Sequence, residues 1–283
     1  VYVVGSTNID RTVQVERLPV AGETALGGEL RVSAGGKGSN AAASAARAGA
    51  QTTLIAAVGD DRDGEQAIAA SQAEGVDVGS IEIVAGESTG AALIVTDSTG
   101  ANLIAVAAGA NARLTPAHVQ RTLLPARHPD VILVSAEIPD AAVAAALTIA
   151  DERGITAVLD PAPARRSLLE LLDLHPIVTP NQAEATTLTG EREPDHAVAK
   201  LAALTGRPAI VTLGADGSVV ADGPRVTHHP AAPVKEIADS VGAGDAFAGT
   251  LAAVLAAQYT FSDAIGRAMR AAADSLRHPG ARP

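Results

Sequence analysis

Short β-branched runs alternate with Ala-rich stretches along nearly the whole chain, and no other feature narrows the possible folds so far. Residues 2–5, 52–58, 131–135, 156–159, 177–179 and 209–213 are strand candidates, while 40–48, 65–74, 116–124, 141–151, 182–189 and 197–204 carry helical patterns. Strands joined through helices lie parallel, and the connecting helices cover both faces of the sheet. The expected class is therefore α/β, with a central, mostly parallel sheet between two helical layers. Hydrophobic residues make up 47% of the 283, enough to fill such a core. Aromatic residues supply only 1%, so Ala, Val, Leu and Ile must do the packing.

Two segments break the rhythm. Residues 11–33 and 91–108 look like strands with no helix between them, punctuated by Pro19, Gly22, Gly27, Gly28 and a turn at Ser98, Thr99 and Gly100. They are expected to pair into a small second sheet, a lid over a ligand cleft. The chain closes with two helical stretches, 243–256 and 261–276. No repeat or low-complexity linker divides it, so residues 1–283 are expected to form one α/β domain carrying that lid.

Composition excludes several function classes. A formal net charge of -11 argues against nucleic acid and anionic membrane partners. With no cysteine, disulfides, thiolate nucleophiles and Cys-ligated zinc are ruled out. Residues 1–6 lack a basic stretch before an apolar segment and read as a first buried strand, and no apolar run is long enough to cross a bilayer. A cytoplasmic location is the expectation. His228 and His229 fall in an expected loop, as solvated surface.

Two glycine-rich motifs carry the chemistry. Asp239-Ser240-Val241-Gly242-Ala243-Gly244-Asp245 runs straight into an Ala/Leu helix. Gly242, Ala243 and Gly244 expose backbone N–H groups at a helix N-terminus, where anionic oxygens are favoured, and Asp245 sits in the first turn as a candidate general base. A lone motif of this kind also fits a tight turn whose aspartate merely suits the helix dipole. Ala34-Gly35-Gly36-Lys37-Gly38-Ser39-Asn40 opens another helix. It is not a Walker A loop, because Arg31 stands where the first Gly belongs and Gly38 where Ser or Thr would bind magnesium. Its backbone can still approach a ligand closely, with Lys37 and Asn40 offering polar groups. Asn8 and Asp10, Glu137, Asn181 with Glu184, and the turn at Thr212, Gly214, Asp216 and Gly217 each follow an expected strand, where ligands collect in α/β sheets.

Taken in this order and separation, the motifs resemble the ribokinase-like, or PfkB, carbohydrate kinases. The likeness runs from residues 3–10 through 19–24, 35–42, 181–184 and 212–214 to 239–245, nearly the whole chain. It implies ATP-dependent transfer of a phosphoryl group to a sugar, with D-ribose and its 5-hydroxyl as the expected acceptor. By resemblance Asn8, Asp10, Gly36, Lys37, Gly38, Asn40 and Glu137 would contact the sugar. Asn181, Thr212, Gly214, Asp216, Gly217 and Gly244 would line the ATP site, Glu184 would order Mg2+ and its waters, and Asp245 would be the base. A monovalent cation, expected to be K+, would take Asp239, the Val241 carbonyl and the tail at Ser275, His278 and Gly280. The lid would also form a homodimer contact. Ala42 stands where the family often has Gln. Another acceptor within the same fold, a deoxysugar, fructose, a nucleoside or a sugar phosphate, is the principal alternative. The scarcity of aromatics disfavours a stacked nucleoside base, and only Arg11, Arg31 and Lys37 are obvious cations for a sugar phosphate. A sugar-binding protein without catalysis would be expected to have lost Asp245 or its glycines, and both are present.

Overall fold

The computed structural model describes residues 1–97, 101–234, 237, 239–278 and 280. In chain order its elements are β1 (Tyr2–Val4), β2 (Asn8–Gln14), β3 (Arg31–Gly35), α1 (Lys37–Arg47), β4 (Thr53–Gly59), α2 (Arg62–Ala73), β5 (Ile81–Val84), β6 (Gly90–Thr96) and β7 (Asn102–Ala107). There follow α3 (Pro116–Thr122), β8 (Val131–Ser135), α4 (Asp140–Glu152), β9 (Thr156–Asp160), β10 (Ile177–Val178), α5 (Gln182–Thr189) and α6 (Pro194–Thr205). The last are β11 (Ala209–Thr212), β12 (Ser218–Asp222), β13 (Arg225–His229), α7 (Ala243–Ala256) and α8 (Phe261–Ser275).

Nine strands form the main sheet in the order β13-β12-β11-β10-β9-β8-β1-β4-β5. All pairs from β11 to β5 are parallel, and β12 and β13 close one edge as antiparallel strands. The expected α/β class is the observed one. Alternation within each strand sorts the side chains to two faces. Val4, Ile55, Val134, Leu159 and Val211 face α3 to α6, whereas Val3, Leu54, Leu133, Val158 and Ile210 face α1, α7 and α8. Residues Asp245 through Val254 of α7 are all buried, because this helix lies between the sheet and its neighbours α1 and α8. The Ala-rich sequence allows that close approach. A Cβ on Gly249 would stand 2.1 Å from the Ala41 carbonyl oxygen, so α1 and α7 touch backbone to backbone.

The second sheet has four strands, ordered β3-β2-β6-β7. It begins earlier than residue 11, at Asn8, and between β2 and β3 only a Val15–Gly27 bridge is formed, so most of 15–30 is loop. The expected turn at Ser98, Thr99 and Gly100 lies outside the described residues. Strands β5, β12 and β13 were not anticipated. His228 and His229 belong to β13 rather than to a loop, paired with Val219 and Ser218 across an antiparallel edge. The polar edge strand has no continuous apolar run to mark it. Helix α1 starts at Lys37, three residues before the apolar pattern does, because Gly38 packs on the Gly5 backbone where no side chain fits. Among the described residues no helix is long and apolar enough to cross a membrane.

Candidate active site

The order of the main sheet reverses between β1 and β8, since the chain runs from β1 outward to β4 and β5 on one side and returns to β8 on the other. Ligand crevices open beyond the carboxyl ends of strands at such a point. Here the segment after β1 supplies Ser6 and Asn8, and the segment after β8 supplies Glu137. Ser6 Oγ donates to Glu137 Oε2 at 2.5 Å, with Asn8 Nδ2 at 3.4 Å and the Lys37 backbone N–H at 3.3 Å from the same oxygen. Three donors on one carboxylate oxygen fix the Glu137 side chain in place.

Helix α1 enters this crevice through Gly36, whose φ of 89° is left-handed and whose missing Cβ leaves room for the Asn8 N and Thr7 Cα, each 2.7 Å from where it would be. The turn delivers Lys37 and Asn40 to the N-terminus of α7. Asn40 Nδ2 donates to Asp245 Oδ2 at 2.8 Å, and Lys37 Nζ lies 3.7 Å from Asp245 Oδ1. Asp245 is only 4% exposed, in the first turn of α7, and Gly242, the preceding cap, has a φ of 83°. Proximity to Asp245 raises the Lys37 pKa against the opposing effect of burial, with Asp160, Glu137 and Glu184 adding to it. The lysine is therefore a fixed positive charge. Asp160, at the end of β9, is buried in the same field. Burial raises its pKa to about 7, Lys37 works against the shift, and Asp245 and Glu184 reinforce it.

Two cavities meet at the start of α7. The first, of about 600 Å³, is lined by Asn8, Asp10, Gly36, Lys37, Asn40, Glu137, Val241, Gly242 and Asp245, with Ile94, Ile104 and Val106 of the small sheet as its apolar wall. Every residue expected to contact the sugar except Gly38 lines it. Gly38 contributes packing instead, its position leaving 2.6 Å between a Cβ and the Gly5 Cα. The second cavity, of about 490 Å³, is lined by Thr212, Gly214, Gly217, Ala243 and Gly244 and by apolar groups that include Pro233, Val234, Met269 and Leu276. Asn181, Glu184 and Asp216 line neither cavity. Asn181 and Glu184 cap α5 reciprocally, at 2.8 and 2.9 Å, and Asp216 lies in a short 3-10 turn, Gly214–Asp216.

The expected cation residues lie where the segment holding Asp239 meets the end of α8. Asp239 accepts hydrogen bonds from the Val241 N–H at 3.0 Å and the Gly280 N–H at 2.9 Å, while Ser275 Oγ donates within its own helix to the Ala272 carbonyl. The His278 amide donates to the Ser275 carbonyl just beyond that helix. Among the described residues no three His, Asp or Glu side chains converge as a metal cluster. An all-oxygen set of one carboxylate and carbonyls suits an alkali cation, not a transition metal.

Motif reading missed several residues of the first cavity. Arg165 lines it, donating to the Ala136 and Ile138 carbonyls at 2.6 and 3.0 Å and pairing with Asp140. Arg11, considered as a nearby cation, is engaged by Asp63 at 2.7 Å, and neither it nor Arg31 lines the cavity. No spacing rule links Arg165 to Glu137, since the two come from loops after different strands.

Over residues 1–283 the sequence matches the pfkB family carbohydrate kinases. The chain belongs to that family. Among pfkB family relatives, it is 38% identical to the bifunctional ribokinase/ribose-5-phosphate isomerase A of Fructilactobacillus sanfranciscensis, over 90% of this chain and 48% of that protein, so it spans about half of that relative's length. It is 35% identical to the ribokinase of Haemophilus influenzae, covering 99% of this chain and 92% of that one. The fold superposes with a TM-score of 0.87 on Arabidopsis thaliana ribokinase complexed with ribose and ATP, at 29% identity and covering 99% and 93% of the two chains. As a pfkB family kinase the protein is a phosphotransferase acting on a carbohydrate.

Proposed function

We propose that this kinase transfers the γ-phosphoryl group of ATP to the 5-hydroxyl of D-ribose. One observation carries the reading: a buried aspartate at a helix N-terminus stands where a cavity presenting Asn8, Asp10, Lys37, Asn40 and Glu137 meets a second one lined by Thr212, Gly214, Gly217 and Gly244. Ribokinase relatives and a neighbour bound to ribose and ATP support the choice of substrates.

In this reading Asn8, Asp10, Lys37, Asn40 and Glu137 hold the sugar, with Gly36 and Gly38 making room for it. Asp245 takes the proton of the attacking hydroxyl, and the N–H groups of Gly242, Ala243 and Gly244 face the phosphoryl oxygens as charge moves onto them. Lys37 and Asn40 hold the Asp245 carboxylate in place. The second cavity takes the base of ATP against Pro233, Val234, Met269 and Leu276, its phosphates running past Thr212, Gly214, Asp216 and Gly217 toward Asn181. Glu184 would order Mg2+, which supplies neutralisation of phosphate charge and needs few protein ligands. Asp239, Val241, Ser275, His278 and Gly280 would hold K+. The four-stranded sheet serves as a lid on a single domain, and through it two copies pair. A cytoplasmic location accords with this chemistry.

Arg165 also bears on the acceptor. Its guanidinium is engaged by Asp140 and by the Ala136 and Ile138 carbonyls, so it does not turn to a phosphate on the sugar. Initial rates of ADP release with ribose, deoxyribose, fructose, adenosine and fructose 6-phosphate test the assignment. Ribose is expected to give the highest kcat/KM, with deoxyribose lower by about tenfold to a hundredfold because a buried polar group loses its partner. Any acceptor surpassing ribose overturns the pentose assignment.

A further inference from the structure

Asn111 belongs to none of the motifs. It sits beyond β7 in a short 3-10 turn, Gly109–Arg113, and is 1% exposed. Its amide makes three hydrogen bonds: Oδ1 accepts from the Thr7 N–H at 3.0 Å, and Nδ2 donates to the Thr7 carbonyl at 3.1 Å and to Asn8 Oδ1 at 2.8 Å. The Thr7 backbone decides which end of this amide is which, because an N–H only donates and a carbonyl only accepts. With the Asn111 NH2 group facing it, Asn8 must present oxygen on that side. The Asn8 NH2 group is then directed to Glu137 and the first cavity.

We propose that Asn111 is a positioning residue of the acceptor site, fixing Asn8 as a hydrogen-bond donor and thereby setting the polarity with which the cavity meets its ligand. A donor amide next to a carboxylate is the pair that recognises a hydroxyl, whose oxygen accepts from Asn8 while its hydrogen goes to Glu137. Reversing Asn8 would set two acceptors side by side. Gly90, the first residue of β6, is part of the device: a Cβ there would lie 2.2 Å from Asn8 Oδ1 and 2.3 Å from Asn111 Nδ2. The three residues come from the bases of β2 and β6 and from the segment after β7, so the small sheet is tied to the acceptor site at its root.

The inference rests on the reading that Asn8 contacts the acceptor, and steady-state kinetics of the whole chain separate the two. Asn8→Ala is expected to raise the ribose KM about tenfold, the usual cost of one lost hydrogen bond to a buried group. Asn111→Ala should raise it about as much with the ATP KM unchanged, and should add little in the Asn8→Ala background because its effect passes through Asn8. Asn111→Asp, which cannot donate to Asn8 and would turn its amide around, should raise the ribose KM beyond the alanine variant. If Asn8→Ala leaves the ribose KM unchanged, the acceptor-site reading itself is wrong and the inference goes with it. If Asn8→Ala acts but Asn111→Ala does not, or if the two effects multiply fully, only the inference is overturned. Should Asn111→Ala fail to fold, Gly90→Ala, which drives a methyl group between the two amides, must show the same dependence on Asn8.

Discussion

Asp245 and Asp160 are two buried aspartates with different partners. Asp245 has Asn40 and Lys37 as direct partners. Asp160 has the Ala162 N–H at 3.3 Å, and burial, reinforced by the Asp245 and Glu184 charges and opposed by Lys37, raises its pKa to about 7. Asp245→Asn keeps the shape and hydrogen-bonding capacity of the site but removes the base. Turnover should fall by about 10² to 10⁴, with ATP and sugar affinities changed no more than a few-fold by titration calorimetry. Retention of more than half the parent turnover would remove Asp245 from its proposed role. For Asp160 the linkage has a definite sign. A folded pKa above the ordinary 3.8 means that the native state holds the proton more tightly than the unfolded chain does. Its contribution to stability is full below about pH 4 and is lost as the pH rises toward 7. Asp160→Asn, neutral throughout, should therefore gain on the parent across that window by about 2–4 kcal/mol. Urea unfolding at a series of pH values measures it, and parallel curves for the two proteins would contradict the shifted pKa.

Between elements, the decisive contact is α1 against α7. It carries Asn40 and Lys37 to Asp245, and it exists because Gly249 leaves the Ala41 carbonyl unobstructed. Gly249→Ala should force the helices apart, costing about 1–3 kcal/mol as an overpacked contact, visible as a Tm lowered by several degrees. Activity should fall more than stability does, since the Asn40–Asp245 hydrogen bond spans the same interface. The loop into α7 is the second element with a testable property. Asp239 already ties it to Gly280 through the backbone, so a cation bound there would stiffen the stretch bearing Gly242 and Gly244. Potassium is expected to raise kcat over a bulky organic cation at equal ionic strength, and equal rates would dismiss the cation site.

At the scale of the whole molecule, the small sheet leaves apolar side chains uncovered. Strand β7 is exposed along its full length, with Leu103 at 50%, and Leu93 on β6 at 55%. An open edge of this kind invites pairing with a second copy. On the proposed pairing of two copies through this sheet, Leu103→Lys should shift sedimentation from dimer to monomer and raise the sugar KM. A parent protein that sediments as a monomer would dispose of this arrangement.

Periodicity and glycine placement were enough, on their own, to specify the parallel sheet, its two helical layers and the two loops at Gly36 and Gly242. These are local consequences of side-chain alternation and of backbone that tolerates positive φ. The order of the motifs along the chain led to the family, and Asn8, Asp10, Lys37, Asn40, Glu137 and Asp245 do converge on one cavity. Antiparallel β12 and β13 were not legible, because β13 is a polar edge strand and the apolar run of β12, Val219 to Ala221, is only three residues long. Nor were Asn111, Arg165 and Asp160. Each acts on a group far away in sequence: Asn111 meets Thr7 and Asn8, Arg165 holds the carbonyls beside Glu137, and Asp160 feels Lys37 and Asp245. Only the tertiary structure decides such matters, because the polarity of an amide and the charge of a buried carboxylate depend on what the fold packs against them.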